Sequence, residues 1–189
     1  MEMYDIMNTL LRCSRFRAVL FAFSFLVLSL GLVRAADSEQ TVTLLFTNDV
    51  ESVYDPIEAF WLDDVEMIGG IAEMTTLINE LRQTMPNVFL FDSGDIFTGA
   101  LAKLTQGELA FELMITMGYD AMAIGNHEFE YGHEIFAWQK NRAPFPVLGA
   151  NFFYKDTNIP YAQAHAVIER NGIRIGVIGI MGQDAVTAI

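Results

Sequence analysis

Asn87-Val88-Phe89-Leu90-Phe91-Asp92-Ser93-Gly94-Asp95 is the stretch whose reading decides the fold. Four apolar residues rich in β-formers lie between Pro86 and a small-residue turn. That pattern predicts a short, fully buried parallel strand rather than a helix. Two carboxylates then stand at the mouth of the strand, where their charge is costly unless hydrogen bonds, a cation or solvent offset it. In an open α/β sheet the carboxyl ends of the strands are where ligands gather. Taken alone, the same residues read more readily as a loop aspartate capping the next helix. Their neighbours decide between the two.

Working outward, Thr41 to Thr47 is β-branched and apolar and reads as a first strand ending at Asn48-Asp49. The acidic stretch Glu51 to Glu66 has no clean period and reads as a functional or solvated loop, with Phe60 and Trp61 available to cover a site. Ile71, Met74, Ile78 and Leu81 fall at helical spacing after Gly69-Gly70. A second helix is predicted over Gly107 to Met117, stopped by Gly118, with its methionines as core filler. Tyr119 to Ile124 is a third strand, and it ends in Gly125-Asn126-His127-Glu128. A short helix through Ile135, Phe136 and Trp138 leads to a fourth strand over Phe145 to Asn151. Asn171-Gly172 between two apolar runs predicts a hairpin, so the sheet is expected to turn antiparallel there. Strands alternating with helices mean crossovers, and hence parallel neighbours with helices on the faces.

The first 35 residues differ from the rest. Arg12, Arg15 and Arg17 precede the apolar run Ala18 to Val33, and small residues follow at Val33-Arg34-Ala35. This is the pattern of a cleaved secretory leader, and the apolar run is shorter than the ~20 residues of a membrane span. Residues 1–35 are therefore expected to be a signal peptide and 36–189 the body of an exported protein, periplasmic or extracellular, with no membrane partner after cleavage. That body keeps 7 basic against 22 acidic residues, net −15. Such a balance excludes nucleic-acid polymers as partners, and it repels phosphorylated small molecules unless local cations reverse the sign. The one cysteine, Cys13, lies in the leader, so the body has neither disulfide nor thiol chemistry.

Three consecutive strands thus each end in metal-capable side chains: Asp49 and Glu51, then Asp95, then Asn126 and His127. Carboxylate, amide and imidazole suit Mn, Mg, Zn or Ca, with the carboxylate-rich mix leaning to the harder ions. A carboxylate shared by two cations is the arrangement used for in-line displacement at phosphorus. His127-Glu128 is not a zincin motif, because Tyr131 stands where the second histidine is needed. Gly94 to Gly99 is not a P-loop, because Ala100 follows in place of lysine. His133 and His165 belong to no motif and read as structural or surface residues. Asp92 reads as a partner to a ligand or to the turn rather than as a ligand.

Thr47-Asn48-Asp49-Val50-Glu51, Asp92-Ser93-Gly94-Asp95 and Gly125-Asn126-His127-Glu128-Phe129-Glu130-Tyr131-Gly132 resemble the first three signature blocks of the calcineurin-like metallophosphoesterases, in order and spacing. The secreted 5'-nucleotidase and UDP-sugar hydrolase branch is the nearest in pattern. The resemblance implies an α/β fold with a layered α/β/β/α core, incomplete at the C-terminus. It further implies that Asp49 binds one of two divalent metal ions, Asp95 bridges both, and Asn126 binds the second and touches the substrate phosphate. His127 would stabilise developing charge and protonate the leaving oxygen, with a metal-activated water as nucleophile. Glu51 occupies the place of a family histidine and can ligate through oxygen. Glu130 stands where the family has an aspartate that orients the catalytic histidine. The family's later histidine ligands and its nucleoside-gripping domain would lie beyond residue 189, so the chain is expected to be a fragment, inactive without that C-terminal part. The implied activity is hydrolysis of nucleotide phosphate esters. The rivals are a relative acting on cyclic nucleotides or a sulfur-linked ester, and a non-catalytic metal or ligand binder.

Overall fold

The computed structural model of the protein describes residues 39–186, so the leader lies outside the described residues. In chain order the elements are β1 (Thr43–Thr47), β2 (Ile57–Glu58), β3 (Met67–Ile68), α1 (Ile71–Thr84) and β4 (Val88–Asp92). Then come α2 (Gly99–Thr105), α3 (Glu108–Met117), β5 (Ala121–Ala123), a 3₁₀ turn (His127–Phe129) and α4 (His133–Arg142). β6 (Val147–Leu148), β7 (His165–Arg170), β8 (Ile173–Ile178) and a last turn of helix, α5 (Gln183–Val186), complete the fold.

A four-stranded parallel sheet in the order β1-β4-β5-β6 is the spine. Each pairing follows a crossover, as the alternation of strand and helix patterns requires. The register aligns Thr47 with Asp92 and Asp92 with Met122. The residues that follow each of these strands therefore emerge at the same edge of the sheet. β4 is interior and buried on both faces, which is why its sequence is a continuous apolar run rather than an alternating one.

The two faces of the sheet bury different partners. Leu90, Met122 and Val147 point to the helix side and pack with Ile78 of α1, Phe111 and Met114 of α3, and Phe136 of α4. Phe91, Ala121 and Leu148 point the other way and meet Ala166, Ile168 and Val177 of the β7–β8 hairpin. The layers are thus helices, parallel sheet and hairpin. β7 and β8 pair with each other as a separate two-stranded sheet, so the antiparallel turn expected at Asn171-Gly172 forms a layer of its own instead of extending the spine. Arg170 fastens that layer. Its Nη2 donates to Asp120 Oδ1 at 2.6 Å, another N–H donates to the Val88 carbonyl, and the guanidinium lies 4.8 Å from the Phe89 ring centre. Asp120 in turn accepts from the Leu90 N–H at 2.8 Å.

Two further differences from the sequence reading have local causes. The acidic stretch holds a minimal hairpin, Ile57–Glu58 paired with Met67–Ile68, where a loop was expected. Its two-residue strands are too short to show a period. α2 departs from the sequence reading, since Thr98 and Gln106 bracket only seven residues and the Gly-rich approach reads as loop. The fourth strand is also far shorter than the seven-residue run Phe145 to Asn151, because Pro146 removes one backbone donor at its start and the Gly149 and Ala150 N–H groups turn to Gln163 and Gly179 at its end.

Candidate metal centre

The end of β1, the end of β4 and the end of β5 are laced together by hydrogen bonds. The Asp49 N–H donates to the Gly94 carbonyl at 3.1 Å, and the Glu51 N–H donates to the Asp95 carbonyl at 3.3 Å. From the third loop the His127 N–H donates to Asp95 Oδ1 at 2.9 Å. Further out, the Ser52 hydroxyl donates to the Thr98 carbonyl at 2.5 Å, and the Tyr131 hydroxyl donates to the Gly99 carbonyl at 3.1 Å. Asp49, Glu51, Ser52 and Asp95 all have left-handed backbones, with φ between 46° and 59°. Non-glycine residues hold that conformation only where their surroundings over-determine it, and such positions cluster at functional sites.

The approach of the β4 and β5 loops is closer than side chains permit. A Cβ on Gly94 would lie 2.5 Å from the Gly125 nitrogen. A Cβ on Gly125 would collide with Asp95 Oδ1 and sit 2.8 Å from the Asp95 nitrogen. Glycine at these two positions is therefore a packing requirement.

Asp92 is only 3% exposed and works inward. The Thr47 hydroxyl donates to its Oδ2 at 2.5 Å, the Gly94 N–H donates to its Oδ1 at 2.8 Å, and Thr47 Oγ1 also meets Tyr119 Oη at 2.7 Å. Burial pushes its carboxyl up to about 6, against the pull of these donors, and the charges of Asp95 and Asp49 push the same way as burial. Burial likewise lifts the Tyr119 hydroxyl to about 12, so it stays protonated. Asp92 fixes the turn that delivers Asp95.

His127 is held between two carboxylates. Its Nδ1 lies 3.0 Å from Glu130 Oε2, and its Nε2 lies 3.8 Å from Glu51 Oε1. The hydrogen bond to Glu130 is the main reason its imidazole stays charged to higher pH than an isolated one, with Asp95, Glu130 and Glu51 adding to the effect. Glu130 also accepts from the Thr98 hydroxyl, which holds its own carboxyl below the usual range.

One further residue of the site carries no ligand or catalytic pattern in the sequence. Glu128 is fully buried, and its carboxylate accepts three backbone N–H groups: Gly125 at 2.6 Å and Asp95 at 3.0 Å on Oε2, and Ile96 at 2.9 Å on Oε1. Burial raises its carboxyl to about 7, while the three donors pull in the opposite direction. An acidic residue beside a histidine normally reads as exposed, so its only sequence signal is its place in the third block.

The donor set can be weighed against a cation. Asp49 and Asp95 offer carboxylate oxygens and Asn126 an amide oxygen, the hard-donor chemistry of a divalent ion. Among the described residues no lysine or arginine pairs with Asp49, Glu51, Asp92 or Asp95, so His127 beside Glu51 is the one cationic side chain that faces this negative charge. Also among the described residues, no three histidine, cysteine or carboxylate side chains converge into an ion cage. Glu51 faces His127 across the 3.8 Å contact, which is one reason the cage falls short. The residues fit a hard divalent ion and would supply part of its shell.

Oxygen donors at the carboxyl edge of a parallel sheet, beside a tethered histidine, fit the class of α/β metal-dependent phosphoesterase folds. The chain belongs to the calcineurin-like phosphoesterase family, whose profile matches residues 42–178, a family that works with divalent metals. Among curated relatives it is 38% identical over 155 residues to a 5'-nucleotidase of Vibrio vulnificus (strain CMCP6), covering 79% of this chain and 27% of that protein. It is 33% identical over 159 residues to Protein UshA of Escherichia coli (strain K12), covering 82% of this chain and 28% of the relative. Among solved structures, a 5'-nucleotidase precursor from Thermus thermophilus superposes with a TM-score of 0.70 at 30% identity, over 76% of this chain and 29% of the other. The chain thus spans little more than a quarter of the length of these relatives.

Proposed function

We propose that the chain contributes the first part of the catalytic domain of an exported 5'-nucleotidase-like phosphoesterase that hydrolyses nucleotide phosphate esters with two divalent metal ions. In this reading residues 1–35 are a cleaved leader, and residues 36–189 act together with a C-terminal part that brings further ligands and the nucleoside site. The observation that carries it is the lacing of three strand-end loops through Gly94 and Asp95, which sets Asp49, Asp95 and Asn126 at one sheet edge.

Asp49, Asp95 and Asn126 would hold the cations, which supply, when bound, neutralisation of phosphate charge and acidification of water. The chain's own contribution is orientation. The His127 N–H fixes one oxygen of Asp95 and leaves the other oxygen available. Glu130 accepts from His127 Nδ1–H, so Nε2 is the atom that can carry a proton to a leaving oxygen. Glu51, near that same Nε2, favours the charged imidazole and so keeps the proton in place.

A second reading, a metal or ligand binder without turnover, draws on the position of Glu51 beside His127 and on the incomplete cage. Calorimetric titration of Mn²⁺ into the chain and into Asp95→Ala tests the metal assignment, with phosphate release from 5'-AMP measured alongside. Saturable binding that Asp95→Ala abolishes is the expected result. Binding that survives the substitution, or no binding of any divalent ion, would overturn it. Turnover by a longer form of the protein separates the enzyme from the binder.

A further inference from the structure

We propose that Glu128 is a positioning residue for the metal centre: its buried carboxylate sets the distance and angle between the Asp95 loop and the Asn126-His127 loop. The inference rests on the functional reading above and adds to it a residue that touches neither substrate nor cation.

The geometry is specific. Oε1 takes the Ile96 N–H and Oε2 takes both the Asp95 and Gly125 N–H groups, so one side chain ties the β4 loop to the β5 loop that carries it. Those loops meet too closely for any side chain between them, as the contacts around Gly94 and Gly125 show. Backbone donors at such an approach cannot reach solvent, and an unmet donor there is costly. A single carboxylate offers enough lone pairs to satisfy all three at once. A neutral amide does not, because one of its ends is itself a donor.

Asp95 shows what the clamp controls. Its backbone is left-handed at φ 59°, a conformation that needs external support. Glu128 grips its N–H, the Glu51 N–H grips its carbonyl, and the His127 N–H grips its carboxylate. His127 is the residue just before Glu128, so the clamp sets two of these three contacts. Loosening it should let Asp95 and Asn126 drift apart without opening the core. Burying a carboxylate with no cationic side chain beside it is an expensive way to fill space, and an apolar residue would serve a purely structural role better.

The test compares the parent chain with Glu128→Gln, and with Ile78→Ala as a core truncation in the helix layer, each measured at a fixed interval below its own Tm. Amide hydrogen exchange is read by NMR, and Mn²⁺ affinity by titration. Glu128→Gln should speed exchange at Asp95, Ile96 and Gly125 together and weaken Mn²⁺ binding by ~10–100-fold, the usual range for a partner that orients metal ligands. Ile78→Ala should do neither. Should Glu128→Gln not fold, Glu128→Asp keeps the charge and withdraws its reach by one methylene, with the same direction of change expected. Unchanged exchange at the three amides, or faster exchange with unchanged Mn²⁺ affinity, would overturn the proposal. If the parent itself binds no Mn²⁺, the functional reading fails while the exchange result still decides whether Glu128 couples the two loops.

Discussion

Replacing Asp92 with asparagine should stabilise the metal-free chain at neutral pH and leave it nearly unchanged in acid. The fold holds the Asp92 carboxyl at about 6 against an ordinary value of 3.8, chiefly through burial. A carboxyl whose folded value lies above its unfolded one favours the protonated state in the fold. Its contribution is therefore complete below pH ~4, declines as pH rises towards 6, and is a constant deficit above that. The rise corresponds to roughly 3 kcal/mol of stability lost between those limits. Asparagine has the same shape and no charge. Its carbonyl still accepts the Gly94 N–H, and its amide can donate to Thr47 Oγ1, whose hydroxyl then turns to Tyr119 Oη. The hydrogen bonds to the ionised form are already contained in the value of about 6, so the net gain is roughly 3 kcal/mol at pH 7.5. Urea denaturation of both chains in EDTA, at pH 4.5, 5.5, 6.5 and 7.5, isolates the effect, because the titrating groups not coupled to Asp92 cancel in the difference. A difference that stays flat across this range would refute the reasoning, even if the variant proved more stable.

Three further outcomes follow from the site. Gly125→Ala places a methyl against Asp95 and should cost about 1–3 kcal/mol by overpacking, with a loss of Mn²⁺ affinity that a thermal melt and a titration would show together; an unshifted melt would mean the loops have slack. Glu51→His should retain metal binding and shift preference towards softer ions, read by competing Zn²⁺ against Mn²⁺, and unchanged selectivity would show that Glu51 is not a ligand. His127→Ala in an active, longer form of the protein should keep its metals and lose rate by ~10²–10⁴; if metal is lost as fully as in Asp95→Ala, the division of roles is wrong.

Much of this was legible because burial on both faces writes itself into sequence. Val88 to Phe91 is apolar throughout for that reason, and the α3 methionines fall on one buried stripe ahead of a left-handed Gly118. The donors could be placed at one edge because parallel strands in register end together. What stayed hidden depends on contacts rather than periods. Nothing in the order of residues says that Glu128 turns inward to three amides, or that Glu51 leans on His127. The hairpin at Asn171-Gly172 was visible as a turn, while its place as a separate layer depends on Arg170 reaching Asp120 across 50 positions.

The lacing of the strand ends also dictates when the centre can come into being. Thr47 meets Asp92 across 45 residues, and Asp95 meets His127 across 32. Parallel neighbours cannot zip locally; each pairing waits for its whole crossover to be threaded, and such closures are slow. The chain therefore carries these acidic groups as scattered charges until the segment through His127 has folded back onto the sheet. Their gathering at one sheet edge is thus a late event in folding, one that comes nearly all at once.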